Sequence, residues 1–264
     1  MTMKTQQSIE KVKAVYFTAI AVMGSLLILG STVTVQAALQ TGNLFQPNVI
    51  VGLDNDNTDN LEIQPSPDDP NQSLNNTDIL IGGFREDILI GLLGSDVLHG
   101  FFGDDVLIGG TEQGSQPNSD VMFGGHGEDI SIWAPGDGSE AFDGGPGEDV
   151  EVFGVIDRDE DNVPTLDEET ELPTAEVTGS PGFCTIEPVQ DPDLGFEFLA
   201  RFFVRATGNL AVTVRLKDVE QVFCTSEAGG EITFADLTAP DPQFVVISLE
   251  DVENLNPKVA QIIR

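Results

Sequence analysis

Residues 78–110 read DILIGGFREDILIGLLGSDVLHGFFGDDVLIGG. An acidic residue recurs there every nine positions, at Asp78, Asp87, Asp96 and Asp105. Two residues after each stand Leu80, Leu89, Leu98 and Leu107, and two further on Gly82, Gly91, Gly100 and Gly109. After an irregular stretch the register resumes with Asp120 and Asp129. It then passes two extra residues in WAPGDGSE (133–140) and continues at Glu140 and Asp149. Complete units read GGHGEDISI (124–132) and GGPGEDVEV (144–152). A repeat of fixed short period decides the architecture before any single-residue preference does.

The unit divides into a turn and a strand. Glycines at its first, second and fourth positions open backbone conformations closed to other residues, so six residues make a tight turn. The remaining three, such as Ile79-Leu80-Ile81 or Val106-Leu107-Ile108, suit a very short strand. Two units then wind once around a flattened right-handed solenoid, a parallel β-roll. Because side chains alternate along a strand, its middle residue points inward: Leu80, Leu89, Leu98, Leu107, Met122, Ser131, Phe142 and Glu151. Ser131 and Glu151 are polar at that position, and fraying is expected near both. Acidic residues eighteen apart fall into register on one edge, where their repulsion calls for a hard divalent cation among oxygen ligands. The flanking residues Ile79, Ile81, Ile88, Ile90, Val97, Val106 and Ile108 are apolar too. A sheet apolar on both faces has something packed over it, and the C-terminal region or a partner molecule are the candidates.

These repeats resemble the hemolysin-type (RTX) calcium-binding nonapeptides of secreted bacterial proteins. The resemblance covers about a third of the chain, residues 76–154. It implies a parallel β-roll with Ca²⁺ held between successive turns by the acidic side chain and by glycine-turn carbonyls. The implied carboxylate ligands are Asp78, Asp87, Asp96, Asp105, Asp120, Asp129, Glu140 and Asp149. Two turns depart from the pattern. Arg85 and Glu86 replace a glycine and its neighbour before Asp87, and Gln116-Pro117-Asn118-Ser119 precede Asp120.

At the start of the chain Lys4, Lys11 and Lys13 precede an apolar run over 14–30, and Val35-Gln36-Ala37 offers small residues for cleavage. Residues 1–37 read as a secretory signal peptide cut after Ala37. An uncleaved anchor fits less well, because the run is short for a bilayer span. An N-terminal leader departs from the C-terminal export signal of many relatives of the repeat family. The chain has 45 acidic and 11 basic residues; without residues 1–37 it keeps 44 and 8, a charge of −36. Such a charge opposes nucleic acid and anionic membranes and favours cations.

Residues 38–75 read as a polar arm in which Asp54, Asp56 and Asp59 form a solvated acidic turn rather than a cation site. Residues 155–180 read as an acidic linker. Within it Asp157, Asp159, Asp161, Thr165 and Glu168 match positions of an EF-hand-like calcium loop, with Pro164 at its usual apolar position and no flanking helices. An acidic linker is the stronger reading there. Residues 181–264 form a β-rich region, a further solenoid or a sandwich, with strands expected over 196–204, 210–216, 219–224, 231–237 and 244–249. VRLKDVEQV (214–222) recurs as ISLEDVENL (247–255), which suggests further solenoid rungs or two equivalent strands of a β-sandwich. GNLAVTVRLKDVE followed by GGEITFADL also resembles tails found after the repeats in some proteins of the calcium-binding family.

Catalytic chemistry is nearly absent from the inventory. The sequence has no H-E-x-x-H, no G-x-S-x-G and no Walker loop. His99 and His126, its only histidines, sit inside the repeats and read as solvated structural residues. Cys184 and Cys224 in an exported chain favour a disulfide over free thiols. The expectation is a secreted, calcium-stabilised, all-β protein of the extracellular space or bacterial cell surface. It would be a non-catalytic binding or structural module whose partner is a glycan or another copy of itself. The alternative is a secreted polysaccharide-acting enzyme whose site lies in 181–264, with the roll as a folding aid.

Overall fold

A computed structural model of the protein describes residues 37–42, 45–51, 77–92, 94–110, 119–160, 163–191, 193 and 195–263. Most of the stretch read as a signal peptide (residues 1–36), the stretch with Asp54, Asp56 and Asp59 read as an acidic turn, and Asp161 lie outside the described residues.

Three-residue apolar runs between glycine turns form strands, as their composition dictates. Successive strands alternate between two sheets. β1 (Ala37–Thr41), β3 (Thr77–Ile81), β5 (Val97–Phe102), β7 (Val121–His126) and β9 (Ala141–Asp143) stack in parallel in the first. β2 (Asn48–Val51), β4 (Asp87–Ile90), β6 (Val106–Ile108), β8 (Ile130–Trp133) and β10 (Val150–Phe153) stack in parallel in the second. The chain is all-β in character, with parallel strand stacking and two short helices among the described residues. β1 and β2 fall in the stretch read as a polar arm, whose 39–41 and 49–51 extend the sheets beyond the repeats.

In the stretch read as a linker, β11 (Val155–Ile156) and β12 (Ala175–Glu176) pair antiparallel as a separate ribbon, and the strands of 181–264 extend the two sheets. β15 (Asn209–Lys217) runs parallel beside β9, and β16 (Gln221–Thr225) parallel beside β10. Antiparallel strands then finish each sheet. β14 (Phe198–Val204) and β13 (Gly182–Pro188) close the first, β17 (Ile232–Asp236) and β18 (Val245–Ile247) the second. β13, whose Gly-Phe-Cys-Thr-Ile-Glu alternation is weak, is the strand of 181–264 that the sequence did not reveal. Its Cys184 is bridged to Cys224 of β16, so the disulfide joins the two sheets.

Parallel register places inner residues in two columns. Leu80, Leu98, Met122, Phe142 and Leu216 form one. Ile50, Leu89, Leu107, Ser131, Glu151 and Val222 form the other. The expected fraying at Ser131 and Glu151 does not occur, for every residue of β8 and β10 is buried. The reason is the apolar neighbours: Ile130, Ile132, Val150 and Val152 face outward into a second apolar layer that clamps both strands. Ser131 Oγ lies 3.9 Å from the Met122 sulfur, and Glu151 stands beside Ser131 across the sheet. Burial pushes the Glu151 carboxyl well above the usual range, which favours its neutral form in the core.

That second layer comes from the C-terminal half. Ile156, Ala175, Val177, Val252, Val259, Ile262 and Ile263 cover the outer face of the second sheet, which answers what packs over its apolar residues. α1 (Leu249–Leu255) and α2 (Pro257–Ile262) supply much of it. Here the echo of VRLKDVEQV in ISLEDVENL misleads. Val214 and Leu216 alternate into the core of a strand, whereas Ser248 and Asp251 form a capping box that starts a helix. Asn256 caps α2 by accepting the Val259 N–H at 3.0 Å, with Pro257 in its first turn. No helix among the described residues is long and apolar enough to cross a membrane.

Candidate metal centre

Each acidic residue of the repeat stands at or just before the start of its strand, so parallel stacking lines these residues up. One row runs along the first sheet. The Asp78 N–H donates to Asp96 Oδ1 at 2.6 Å and the Asp96 N–H to Asp120 Oδ1 at 2.7 Å. Glu140 follows, its neighbour Ala141 donating to the Asp120 carbonyl at 2.9 Å. A second row runs along the second sheet: Asp87 N–H to Asp105 Oδ1 at 2.7 Å, Asp105 N–H to Asp129 Oδ1 at 2.8 Å, and Asp129 N–H to Asp149 Oδ1 at 2.8 Å. The steps are eighteen residues where the repeat is regular and 24 or 20 where it is interrupted. All eight sequence-derived carboxylates are therefore in the two rows, and each is at most 1% exposed.

Departures in the turns do not break the rows. Asp87 keeps its place despite Arg85 and Glu86, and Asp120 keeps its own after the non-glycine Gln116-Pro117-Asn118-Ser119, of which residues 116–118 lie outside the described residues. The sequence reading missed both ends of the second row. Asn48 donates its N–H and its Nδ2 to Asp87 Oδ1, each at 2.7 Å, and Glu220 Oε2 accepts the Asp149 N–H at 2.7 Å. For Asn48 the signal was available, since Asn48-Val-Ile-Val places an amide before an apolar triplet as Asp87-Ile-Leu-Ile places a carboxylate; Glu220 is followed by the polar Gln221 and carries no such signal.

In five of these carboxylates one oxygen is consumed in this way and the other is not. Asp87, Asp105, Asp120, Asp129 and Asp149 each bury an Oδ2 that has no hydrogen-bond partner. A backbone carbonyl lies close by. A Cβ added at Gly82 would fall 2.6 Å from Asp87 Oδ2 and 2.8 Å from the Gly100 carbonyl oxygen. The same pairing of carboxylate and glycine carbonyl meets Gly91 and Gly100, which explains why the first turn position must be glycine. Burial pushes Asp105 and Asp149 up to about 8, Asp120 to about 7 and Asp129 to about 6. The charge of Asp129 adds to the shift of Asp105. A buried carboxylate with an unused oxygen is costly, and protonation or a bound cation relieves it.

Among the described residues, no group of three or more His, Cys, Asp or Glu side chains converges on one point. The carboxylates are strung along rows, with main-chain oxygens between them. The EF-hand-like stretch is folded as a tight hairpin, with Arg158 and Pro164 bridged and Asp159 Oδ1 accepting the Val163 N–H at 2.9 Å. Asp157 Oδ2 accepts from Thr174 Oγ1 at 3.2 Å, so two of the carboxylates read as loop ligands serve the fold instead.

The histidines belong to an aromatic row on the first sheet. His99 stacks on Phe123 with centroids 4.5 Å apart, and His126 on Phe102 at 5.0 Å. Phe102 continues to Phe84 and Phe45 at 5.1 and 5.8 Å. His99 is half-buried rather than solvated, and burial lowers its pKa.

No protein-family model matches the chain, and no curated protein matches it.

Proposed function

We propose that the protein is a secreted, calcium-folded β-roll of the hemolysin-type nonapeptide class, acting as a non-catalytic binding or surface-structural module. One observation carries the reading: two rows of buried carboxylates, in a chain of about −36 after export, in which Asp87, Asp105, Asp120, Asp129 and Asp149 each keep an oxygen without a hydrogen-bond partner at the glycine turns, those of Asp87 and Asp105 beside glycine carbonyls. Calcium accepts that donor set, because it binds carboxylate and main-chain oxygens together in flexible geometry. Asp78, Asp96, Asp120 and Glu140 would hold it along the first sheet, and Asp87, Asp105, Asp129 and Asp149 along the second. Bound Ca²⁺ supplies two positive charges per site and ties neighbouring turns together. The chain's own residues fix the carboxylates by N–H donation and keep water out by burial.

The Cys184–Cys224 bridge fits export to an oxidising compartment. The aromatic row gives little support to a polysaccharide-acting enzyme. Its rings lie within 8° of parallel at the Phe102–His126 and His99–Phe123 contacts, so their faces are spent on each other. Self-association is the better-supported partner, since Val49 on β2 and Val245 and Val246 on β18 are more than half exposed on the edge strands of the second sheet.

Equilibrium dialysis of the exported chain against Ca²⁺ tests the reading. Several ions should bind with dissociation constants of about 0.1–1 mM. The double variant Asp96→Ala/Asp105→Ala should weaken binding far more than Asp54→Ala/Asp56→Ala. Binding that is absent, or indifferent to Asp96 and Asp105, overturns it.

A further inference from the structure

The second row does not stop where the repeats stop. Beyond Asp149 the chain returns at Lys217-Asp218-Val219-Glu220, where β15 passes into β16, and rebuilds the geometry of a repeat turn with other residues. The Gly144 N–H donates to the Lys217 carbonyl at 3.0 Å, as the Gly82 N–H does to His99 at 2.8 Å and the Gly91 N–H to Ile108 at 2.9 Å. The Asp149 N–H donates to Glu220 Oε2 at 2.7 Å, as the Asp129 N–H does to Asp149 Oδ1 at 2.8 Å. A Cβ added at Gly144 would meet the Asp218 carbonyl oxygen and the Asp149 side chain, whose Cγ lies 2.7 Å away. At Gly82 the same gap lies between the Gly100 carbonyl and the Asp87 carboxylate. Asp218 thus supplies the main-chain oxygen that a turn glycine supplies elsewhere, and Glu220 supplies the acidic side chain.

The fold fixes each of these groups. Val219, between the two acidic residues, is buried in the inner core. The Asp218 N–H donates to Glu197 Oε2 at 3.1 Å, and its carboxylate lies 3.2 Å from Lys217 Nζ. Its carbonyl is the group turned toward Gly144 and Asp149. The Glu220 N–H donates to the Asp149 carbonyl at 3.0 Å, and the Glu220 carbonyl accepts the Leu237 N–H at 2.8 Å. Asp149 itself is fully buried, and its Oδ2 has no hydrogen-bond partner. A buried carboxylate oxygen, a main-chain carbonyl and a second carboxylate therefore adjoin, and a hard divalent cation is what such an oxygen set takes up. The first row gains nothing comparable from β15. There the place beyond Glu140 falls to the buried Val214, one residue before the Arg215–Ala141 pair.

We propose that the second row ends in a Ca²⁺ site outside the repeats, formed by the Asp149 carboxylate, the main-chain oxygen of Asp218 and the carboxylate of Glu220. The inference rests on the calcium reading of the rows and deepens it. Two of the three groups come from the C-terminal region, so an ion bound there ties the last repeat turn to the junction of β15 and β16. The two rows then hold unequal numbers of ions, the second gaining one that the repeats alone do not provide.

The experiment compares the parent chain with Glu220→Gln, which keeps an oxygen to accept the Asp149 N–H but removes the charge. Glu148→Gln, at an exposed position of the preceding turn, controls for the loss of a charge alone. Equilibrium dialysis counts bound Ca²⁺, and circular dichroism gives the calcium midpoint for folding. Glu220→Gln should bind one ion fewer than the parent and need about twofold or more calcium for half-folding. Glu148→Gln should match the parent in ion count. At saturating calcium the Asp149 and Glu220 amides should exchange faster in Glu220→Gln than in the parent, with those of Asp78 and Asp96 unchanged. An equal ion count in Glu220→Gln, or the same loss in Glu148→Gln, overturns the inference. So does a Glu220→Gln chain that stays unfolded at saturating calcium, since losing one terminal ion leaves the other positions of the rows intact. If the count falls in Asp96→Ala/Asp105→Ala but not in Glu220→Gln, the inference alone falls. If the parent binds no calcium, the proposed function falls with it.

Discussion

The two sheets are built from the same repeat but finish differently. In the second, the outward residues Ile90, Val106, Ile108, Ile130, Ile132, Val150 and Val152 are buried under α1, α2 and the 155–177 segment. In the first, the corresponding residues Ile79, Ile81, Val97, His99, Val121, Phe123, Ala141 and Asp143 stay half-exposed. They are held by ring stacking between His99 and Phe123 and by the Lys217–Asp143 ion pair at 2.7 Å. A nine-residue repeat that defines a strand and a turn therefore leaves open which face is covered. Cover comes from outside the repeat, and the uncovered sheet substitutes rings and charges for aliphatic burial.

The largest expected effect is of pH, and it falls unequally on the sheets. Three strongly raised carboxyls, Asp105, Asp129 and Asp149 at about 8, 6 and 8, belong to the second sheet, against Asp120 at about 7 in the first. Their folded values exceed the ordinary 3.8 of the unfolded chain. Their contribution is thus fully present below that value and is lost as pH rises through 6–8. In EDTA the fold should be more stable near about pH 5 than near about pH 8, and saturating calcium should shrink the difference. Asp105→Asn/Asp129→Asn should flatten the profile more than Asp120→Asn. A calcium-free β signal that rises over this interval contradicts the account.

Next comes the bond between the sheets. Replacing Cys184 and Cys224 by alanine opens a loop of forty residues and should cost about 4 kcal/mol on the chain-entropy argument. Urea unfolding of the calcium-loaded protein measures it. A loss under about 1 kcal/mol would mean that the shared core, not the bridge, holds β13 to β16.

Cover itself is tested by a pair of truncations. Ile262→Ala removes a fully buried side chain over the second sheet and should cost about 3 kcal/mol. Phe123→Ala removes a half-exposed ring from the first and should cost about 1 kcal/mol. Equal losses in the same titration would erase the distinction between the sheets.

The smallest effect sets the same strain in two settings. Leu92 and Phe101 occupy the second turn position with φ of 72° and 79°, where Gly110, Gly125 and Gly145 also have positive φ. Relieving a left-handed residue with glycine gains about 1–2 kcal/mol of strain, less about 0.5–1 kcal/mol of chain entropy. Phe101→Gly, at an exposed site, should be neutral or slightly stabilising. Leu92→Gly should destabilise, because Leu92 is buried in the cover of the second sheet. Thermal melting of the two variants decides it.

Much of this was legible in the sequence. The nine-residue phase gave the strands, their alternation, the inner columns and both carboxylate rows, since each depends only on local spacing. Reading every second repeat would have gone further. Along the second sheet the outward residues stay Ile or Val as far as Val152, while along the first they drift to His99, Phe123, Ala141 and Asp143. That drift marks which face is covered. The row end at Asn48 was legible as an amide before an apolar triplet, whereas Glu220, followed by Gln221 and meeting Asp149 across 71 residues, carried no local signal. The helices over 249–262 were hidden by an accidental likeness to a strand, which only their caps distinguish. Neutralisation of Glu151 by burial belongs to packing that no local pattern carries.

The central claim is that calcium is a folding ligand: short strands cannot overcome the repulsion of two carboxylate rows and the entropy of glycine turns by themselves. Circular dichroism of the exported chain, stripped with EDTA near neutral pH and titrated with Ca²⁺, tests it most directly. The account predicts a largely unordered spectrum in EDTA and a cooperative gain of β signal with a midpoint of about 0.1–1 mM. A β spectrum already complete in EDTA and unmoved by calcium would contradict it.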